Sequence, residues 1–377
     1  MSKLFLSCCC LFISGIASAQ EKPLILDGKI GNYPIVMELI VYEDTLCDIR
    51  YFYLNQRKDI RLEGTVAKNG GIKAATRDLG DSKMPAEKMS LKKTPTGYSG
   101  TWMGNKKSLA ITLKQTSAAR FTSPYAFLPG IKELKEESPF DYIRTTGFVF
   151  TKEPIQKDQP AETEWYKEKF SGIKMPRLKS GYDSIVLKKI NAVLLEKHLM
   201  ESKNMLECTG FPYGEYEFNV ANLFIHKNIF SMNRTVGYYC GGAHPDFASE
   251  GLSFDGYTGE LLDLDHILWF DKTKPPEKNS DAWYEYRDNV FAPKVVELFK
   301  KLYPGEMKKP AESDETCDYT ETVSWNFPNW YFTKQGLYLG AVFARVARVC
   351  DSPEWSVIPY ASLQSFLNPE SKLKWPE

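Results

Sequence analysis

Residues 181–200 read "GYDSIVLKKINAVLLEKHLM" and residues 216–240 read "YEFNVANLFIHKNIFSMNRTVGYYC". The first places Val186, Leu187, Ile190, Val193 and Leu194 at the spacing that gathers apolar side chains on one helix face, with Asp183 or Ser184 as N-cap. The second alternates with a period of two, the pattern of half-buried strands. Together they predict helices and antiparallel strands in separate runs, an α+β domain.

Working outward, "ASEGLSFDGYTGELL" (248–262) has Asp255, Gly256 and Gly259 as turn residues between two strands. A second helix is predicted over 282–303, "AWYEYRDNVFAPKVVELFKKLY", followed by strand groups in "WYFTKQGLYLGAVFARVARVC" (330–350) and "WSVIPYASLQSFL" (355–367). Residues 24–113 read instead as short strands between Gly-, Asn- and Lys-rich turns: Ile35, Met37, Leu39 and Val41 alternate, and "YFYL", "IRLEG", "GYSGTWMG" and "SLAITL" follow. A small antiparallel β domain, a meander or barrel, is predicted over 20–118. Residues 119–160 carry charge runs around one expected strand, "YIRTTGFVF" (142–150), and read as a connector to the α+β domain at 161–377. A cut in that connector is expected to give two pieces that fold separately.

Residues 1–19 have a basic start, an apolar run from Leu4 to Ile16 and small residues Ala17 and Ala19, the pattern of a cleaved secretory leader. No later apolar run is long enough for a membrane helix, so a periplasmic or secreted protein without an integral membrane segment is expected. Lys plus Arg total 48 and Asp plus Glu total 48, a zero formal charge that gives nucleic acid no general attraction. Five cysteines follow the leader: Cys47, Cys208, Cys240, Cys317 and Cys350. In an oxidising compartment the last four allow three pairings, of which the sequence-local one, Cys208 with Cys240 and Cys317 with Cys350, is preferred. Cys47 then remains as a buried thiol.

Complete catalytic and cofactor motifs are missing. There is no H-E-x-x-H, no Walker loop and no paired C-x-x-C. "GYSGT" at Gly97 lacks the final glycine of a nucleophile elbow, and "SLKK" (90–93) and "SGIK" (171–174) lack the partner motifs of a serine-lysine site. No cofactor, metal or catalytic residue is expected. Histidines occur only at 198, 226, 244 and 266, and the one in a distinctive setting is His244, within "YYCGGAHPD" (238–246). Gly241 and Gly242 permit positive φ, Pro245 stiffens the exit, and His244 is expected to bond the local backbone and fix the turn. Gly241, Gly242, His244 and Asp246 are the candidate binding residues. The alternative is an envelope enzyme in which His244 and Asp246 meet Asp263, Asp265 and His266 in a metal or acid-base site. Aromatics cluster at Trp283, Tyr284 and Tyr286 and again at Trp325, Phe327, Trp330, Tyr331 and Phe332; most belong to the core, and an exposed minority would suit glycan or protein contact.

Four pieces occur in order: Gly241 to His244, Phe254-Asp255 with Thr258-Gly259, Phe332-Thr333 with Gly336-Leu337, and Ile358 to Tyr360. In them residues 162–368 resemble the bacterial domain of unknown function that forms the extracytoplasmic part of RsiV-like lysozyme-sensing anti-sigma factors and accompanies the catalytic domain of a peptidoglycan deacetylase. The resemblance implies an α+β fold similar to a subdomain of the heat-shock-cognate ATPases, without ATPase activity. It also implies a binding or sensing role, with a peptidoglycan fragment or a lysozyme-like protein as partner. The expected function is therefore that of an exported, non-enzymatic binding protein of the cell envelope.

Overall fold

The computed structural model describes residues 23–43, 45–77, 86–155, 160–271, 273–311 and 317–376. The leader read at 1–19 lies outside the described residues. The chain divides into two compact units, and both are built on antiparallel sheet, so the fold class is α+β. One unit runs to Tyr51 and takes in Arg61–Arg77 and the stretch ending at Thr116; the other takes in Phe52–Ile60 and the chain from Ser117 onward.

The first unit is a closed barrel of eight sequential strands, β1 (Leu24–Ile30), β2 (Tyr33–Tyr42), β3 (Leu46–Tyr53), β4 (Ile60–Val66), β5 (Ile72–Ala75), β6 (Glu87–Thr94), β7 (Gly97–Gly104) and β8 (Lys107–Gln115), with β1 pairing back to β8. Alternation drives it: along β6, Glu87, Met89 and Leu91 are buried while Lys88, Ser90 and Lys92 are exposed. Small barrels need close strand approach at their bends, and Gly28 and Gly100 supply it. A Cβ at either would lie 1.9 Å from a carbonyl oxygen of the neighbouring strand, that of Thr112 or Ser90.

Glu87 is the polar exception in this core. Its carboxyl accepts from the Tyr51 hydroxyl and, at 2.8 Å, from the Trp102 indole. Burial raises its pKa, and the two hydrogen bonds offset only part of that. A carboxyl whose folded value lies above its unfolded value loses stability as pH rises from the unfolded value, about 4.3, through the folded one. Glu87→Gln keeps an acceptor and removes the buried charge. Denaturation at a series of pH values is expected to show the wild-type decline across that window and a smaller decline in the variant, so that Gln is the more stable at pH 7.

The second unit begins with α1 (Pro129–Glu137) and α2 (Pro139–Thr145), then a sheet in the order β11-β10-β9 from β9 (Phe150–Lys152), β10 (Thr163–Glu168) and β11 (Lys174–Leu178). The long helix α3 (Ser184–Cys208) is capped by the Asp183 carboxylate, which accepts from the Ile185 N–H at 2.8 Å. Its apolar stripe, Val186, Ile190 and Leu194, packs with Ile173, Met175 and Leu178 and with Phe230, Met232, Leu252 and Phe254. The last four belong to the central sheet, β12 (Glu215–His226), β13 (Ile229–Tyr239) and β14 (Asp246–Asp255), in that order. A second core gathers α4 (Asp281–Tyr286), a π-helical turn at Arg287–Phe291 and α5 (Ala292–Leu302) against the sheet β15 (Asn329–Phe332), β16 (Gly336–Gly340) and β17 (Val357–Pro359) around Trp325 and Phe299.

Three expectations are corrected. The strand predicted at 142–150 is helix α2 up to Thr145, because Pro139 suits a first helical position and tertiary burial of Phe140, Ile143 and Arg144 overrides the β-branched residues. The return strand after the Asp255–Gly259 turn is a single bridge between Phe254 and Leu261. The strand into Cys350 stops at Gly340, and Arg345–Cys350 forms a 3-10 turn. The segment read as a connector contributes buried Leu128, Ile131, Phe140, Tyr142 and Phe148 to the second unit.

The same segment holds a buried charge cluster. Arg144 and Asp59 are fully buried and ion-paired; Arg144 also reaches Asp141 at 3.1 Å and donates to the Arg57 carbonyl at 3.0 Å. Arg57 returns bonds to the carbonyls of Ile143 and Arg144 at 3.0 and 3.1 Å. The rings of Phe52 and Phe140 flank the Arg144 guanidinium at 5.2 and 5.3 Å.

Candidate functional site

The central sheet has α3 on one face and the β15–β17 sheet on the other, but the second cover is partial. It is fixed by Phe332, whose N–H donates to Ser231 Oγ at 3.0 Å and whose carbonyl accepts from Asn222 at 2.9 Å. Gly251 permits the crossing, since a Cβ there would lie 1.8 Å from the Trp330 carbonyl oxygen. Beyond this crossing no described element covers the sheet face, which floors a groove of about 550 Å³.

Strand register sets the floor. Asn219 pairs with Thr235 and Thr235 with Ser249, which makes one polar row across three strands; Glu217, Gly237 and Phe247 make the next. A Cβ on Gly237 would meet nothing within 4 Å, so this row has a gap between a carboxylate and a ring that is 40% exposed. One wall is the stacked pair Tyr331 and Tyr338, centroids 4.4 Å apart, with Ser352 and Glu354 beside it. Asn329 holds the floor in place, donating to Ser249 Oγ at 2.8 Å and to Asn233 Oδ1 at 3.3 Å. Ser249 also donates to Asn233 Oδ1 at 3.1 Å, which leaves Asn233 Nδ2 without a partner among the described residues. Burial, with the charge of Glu354, pushes the Tyr331 hydroxyl up to about 12, so it stays a neutral hydrogen-bonding group near pH 7. Fixed amides and hydroxyls beside flat aromatic faces suit a neutral, polyhydroxylated ligand.

Of the four residues singled out in the sequence, Gly241, Gly242 and His244 lie in the β13–β14 turn, and Asp246 opens β14, next in sequence to Phe247 of the groove. Gly241 has φ +77°, and a Cβ there would lie 3.0 Å from the Phe211 ring; Gly242 has open space around it. His244 is exposed and makes no hydrogen bond among the described residues, so the turn-fixing bond expected of it is not formed. The Cys240–Cys208 disulfide anchors the turn instead. Asp246 accepts from the Phe247 N–H at 2.8 Å and pairs with Arg348, whose guanidinium sits 4.7 Å from the Phe247 ring centroid and donates to the Phe247 carbonyl at 2.7 Å. Asp246 therefore positions Phe247. The second disulfide, Cys317–Cys350, secures the turn that carries Arg348. Cys47 is free and buried.

The acidic residues of the alternative metal or acid-base site are engaged elsewhere: Asp263 pairs with Lys278, and buried Asp265 accepts from Trp283 at 2.8 Å and Arg287 at 2.7 Å. Among the described residues no three His, Cys, Asp or Glu side chains gather as a metal-binding group. The remaining motif residues build turns. Asp255 accepts from the N–H groups of Tyr257 and Thr258 at 2.7 and 3.0 Å, and the Thr333 hydroxyl accepts from those of Gln335 and Gly336, both at 3.1 Å.

No family model matches the chain, and no curated protein matches it. Among solved structures it is similar to a DUF3298 family protein from Pseudomonas aeruginosa PAO1, at 13% identity and a TM-score of 0.30, over 59% of this chain and 93% of that one.

Sequence reasoning missed the floor residues Asn219, Asn233, Thr235 and Ser249. Their signal was present: on these strands the positions facing away from α3 carry a run of amides and hydroxyls, Asn219, Asn233, Thr235 and Ser249, with Glu217 as the charged exception. What the pattern does not contain is that the covering sheet stops short of them.

Proposed function

We propose that the chain is an exported, non-enzymatic binding protein of the cell envelope and that its uncovered groove holds a cell-wall glycan. The observation that carries this reading is the Asn219–Thr235–Ser249 row, with the free Asn233 amide, beside the Tyr331–Tyr338 stack and Phe247. Amides and hydroxyls pair with sugar hydroxyls, and ring faces pack on sugar C–H groups. Two disulfides support an oxidising compartment, and no helix among the described residues is long and apolar enough to cross a membrane. The ordered motif pieces support membership of the RsiV-like domain family, and a lysozyme-like protein is the other partner that such membership offers.

Titration of the purified protein with soluble, uncrosslinked peptidoglycan fragments is expected to give saturable binding. Tyr331→Ala, which removes one ring of the wall, is expected to weaken that binding roughly five- to tenfold with little change in the melting curve. Saturable binding of lysozyme with no response to the fragments would replace the glycan by the protein partner.

A further inference from the structure

The groove just described floors one face of the central sheet; a second one runs along its edge. β12 pairs with β13 alone, so its outer backbone edge is unpaired by any described strand. A cavity of about 470 Å³ borders it, lined by all five residues of 216–220. Consecutive strand residues point to opposite faces, so five in a row can border one cavity only if it lies along the strand's edge. The far side is closed by residues 171–174, leading into β11, itself the edge strand of its own sheet, and by Trp165. The indole N–H of Trp165 is buried without a hydrogen-bond partner.

We infer that this slot is a docking site for an extended peptide segment of another protein, added as a strand to β12. The slot has backbone donors and acceptors along one wall, which is what a strand satisfies and a compact ligand does not. A second copy of this chain does not fit: its own β12 would bring β13 and the rest of the sheet into the place held by residues 171–174. The register break between Val220 and Asn222 ends the regular edge, so the segment is about six residues long, as counted by strand rise. Its composition follows from the walls. Phe218, Val220, Ile173 and Met205 border one side and ask for apolar residues at alternate positions. Glu217, exposed and without a cationic partner among the described residues, asks for a basic residue between them.

This inference does not depend on the glycan reading, and its test uses peptides only. The probe is the blocked hexapeptide Ac-Val-Lys-Val-Lys-Val-Lys-NH2, with two isomers N-methylated on the valines or on the lysines, added to isotopically labelled full-length protein. Because alternate N–H groups of a strand face opposite edges, at least one isomer is expected to lose about tenfold or more in affinity. Amide shifts on binding of the parent peptide are expected at residues 165, 171–174 and 216–220. The exposed substitution Glu217→Lys is expected to weaken the parent about threefold and to favour a valine-glutamate counterpart. No binding at about millimolar peptide, equal binding by both methylated isomers, shifts centred elsewhere, or a concentration-dependent dimer that protects 216–220 would each overturn the inference.

Discussion

Arg144→Met is expected to lower the stability of the second unit by about 3–5 kcal/mol, the cost of leaving a buried charge without its partner. Arg144 is fully buried, and its removal takes the ion-pair partner from two carboxylates, Asp59 and Asp141, that are themselves buried. It also breaks the exchange of backbone contacts in which Arg144 donates to the Arg57 carbonyl and Arg57 to the carbonyls of Ile143 and Arg144. Urea denaturation checks the figure. A companion variant separates charge from packing: Asp59→Asn with Asp141→Asn in the Arg144→Met background is expected to recover a substantial part of the loss, since neither of the two carboxylates then remains as a buried charge. A loss below about 1 kcal/mol in Arg144→Met, the range of exposed pairs, would show that water reaches the cluster.

The same cluster bears on how the chain can be divided. A fragment that begins after Ser117 keeps Arg144 and Asp141 but lacks Asp59 and the Phe52 ring that flanks the guanidinium. Such a fragment is expected to unfold at lower urea than the full chain, by a margin close to that of Arg144→Met. Within the range 119–160 read as a connector, α1 and α2 occupy 129–137 and 139–145 and bury Ile131, Phe140, Tyr142 and Ile143.

This contrast marks what the sequence could tell. The α3 stripe and the period-two strands were legible because their burial is decided within one element, by spacing. The cap at Asp183 was legible for the same reason. Helix α2 was not, because Ile143, Thr145 and Thr146 favour strand locally and tertiary burial, including the pairing of Arg144 with Asp59, 85 residues away, decides otherwise. The glycines and histidine of the β13–β14 turn stood out as unusual letters, yet the structure uses Asp246 to hold Phe247 and leaves His244 in solvent. The groove residues are ordinary letters in ordinary strands. They matter because the covering sheet crosses at Ser231 and Gly251 and leaves these rows open, a fact of tertiary packing that spacing does not encode.

Replacing Cys208 and Cys240 together with serine is expected to lower stability by about 3–4 kcal/mol through the released entropy of the unfolded loop. The bond closes a sequence separation of 32 residues and ties the end of α3 to the start of the β13–β14 turn. Removing Cys317–Cys350, with a separation of 33, is expected to cost a similar amount. The two should differ in what they do to the groove. Phe247 is held by Asp246 and Arg348, and Arg348 lies on the turn that ends in Cys350. Loss of the second disulfide is therefore expected to loosen Phe247 and weaken ligand binding in the folded protein. Loss of the first leaves Asp246, Phe247 and Arg348 in contact and should act on stability alone. Cys47 serves as the control, since it lies in the first unit and both disulfides lie in the second: it is buried, and burial pushes its thiol up to about 11, so little thiolate exists at pH 7. Labelling of Cys47 by a thiol reagent should be slow in the native state and should accelerate only as the first unit opens. Equal denaturant midpoints for wild type and both disulfide variants would show that the bonds constrain a denatured state already compact without them.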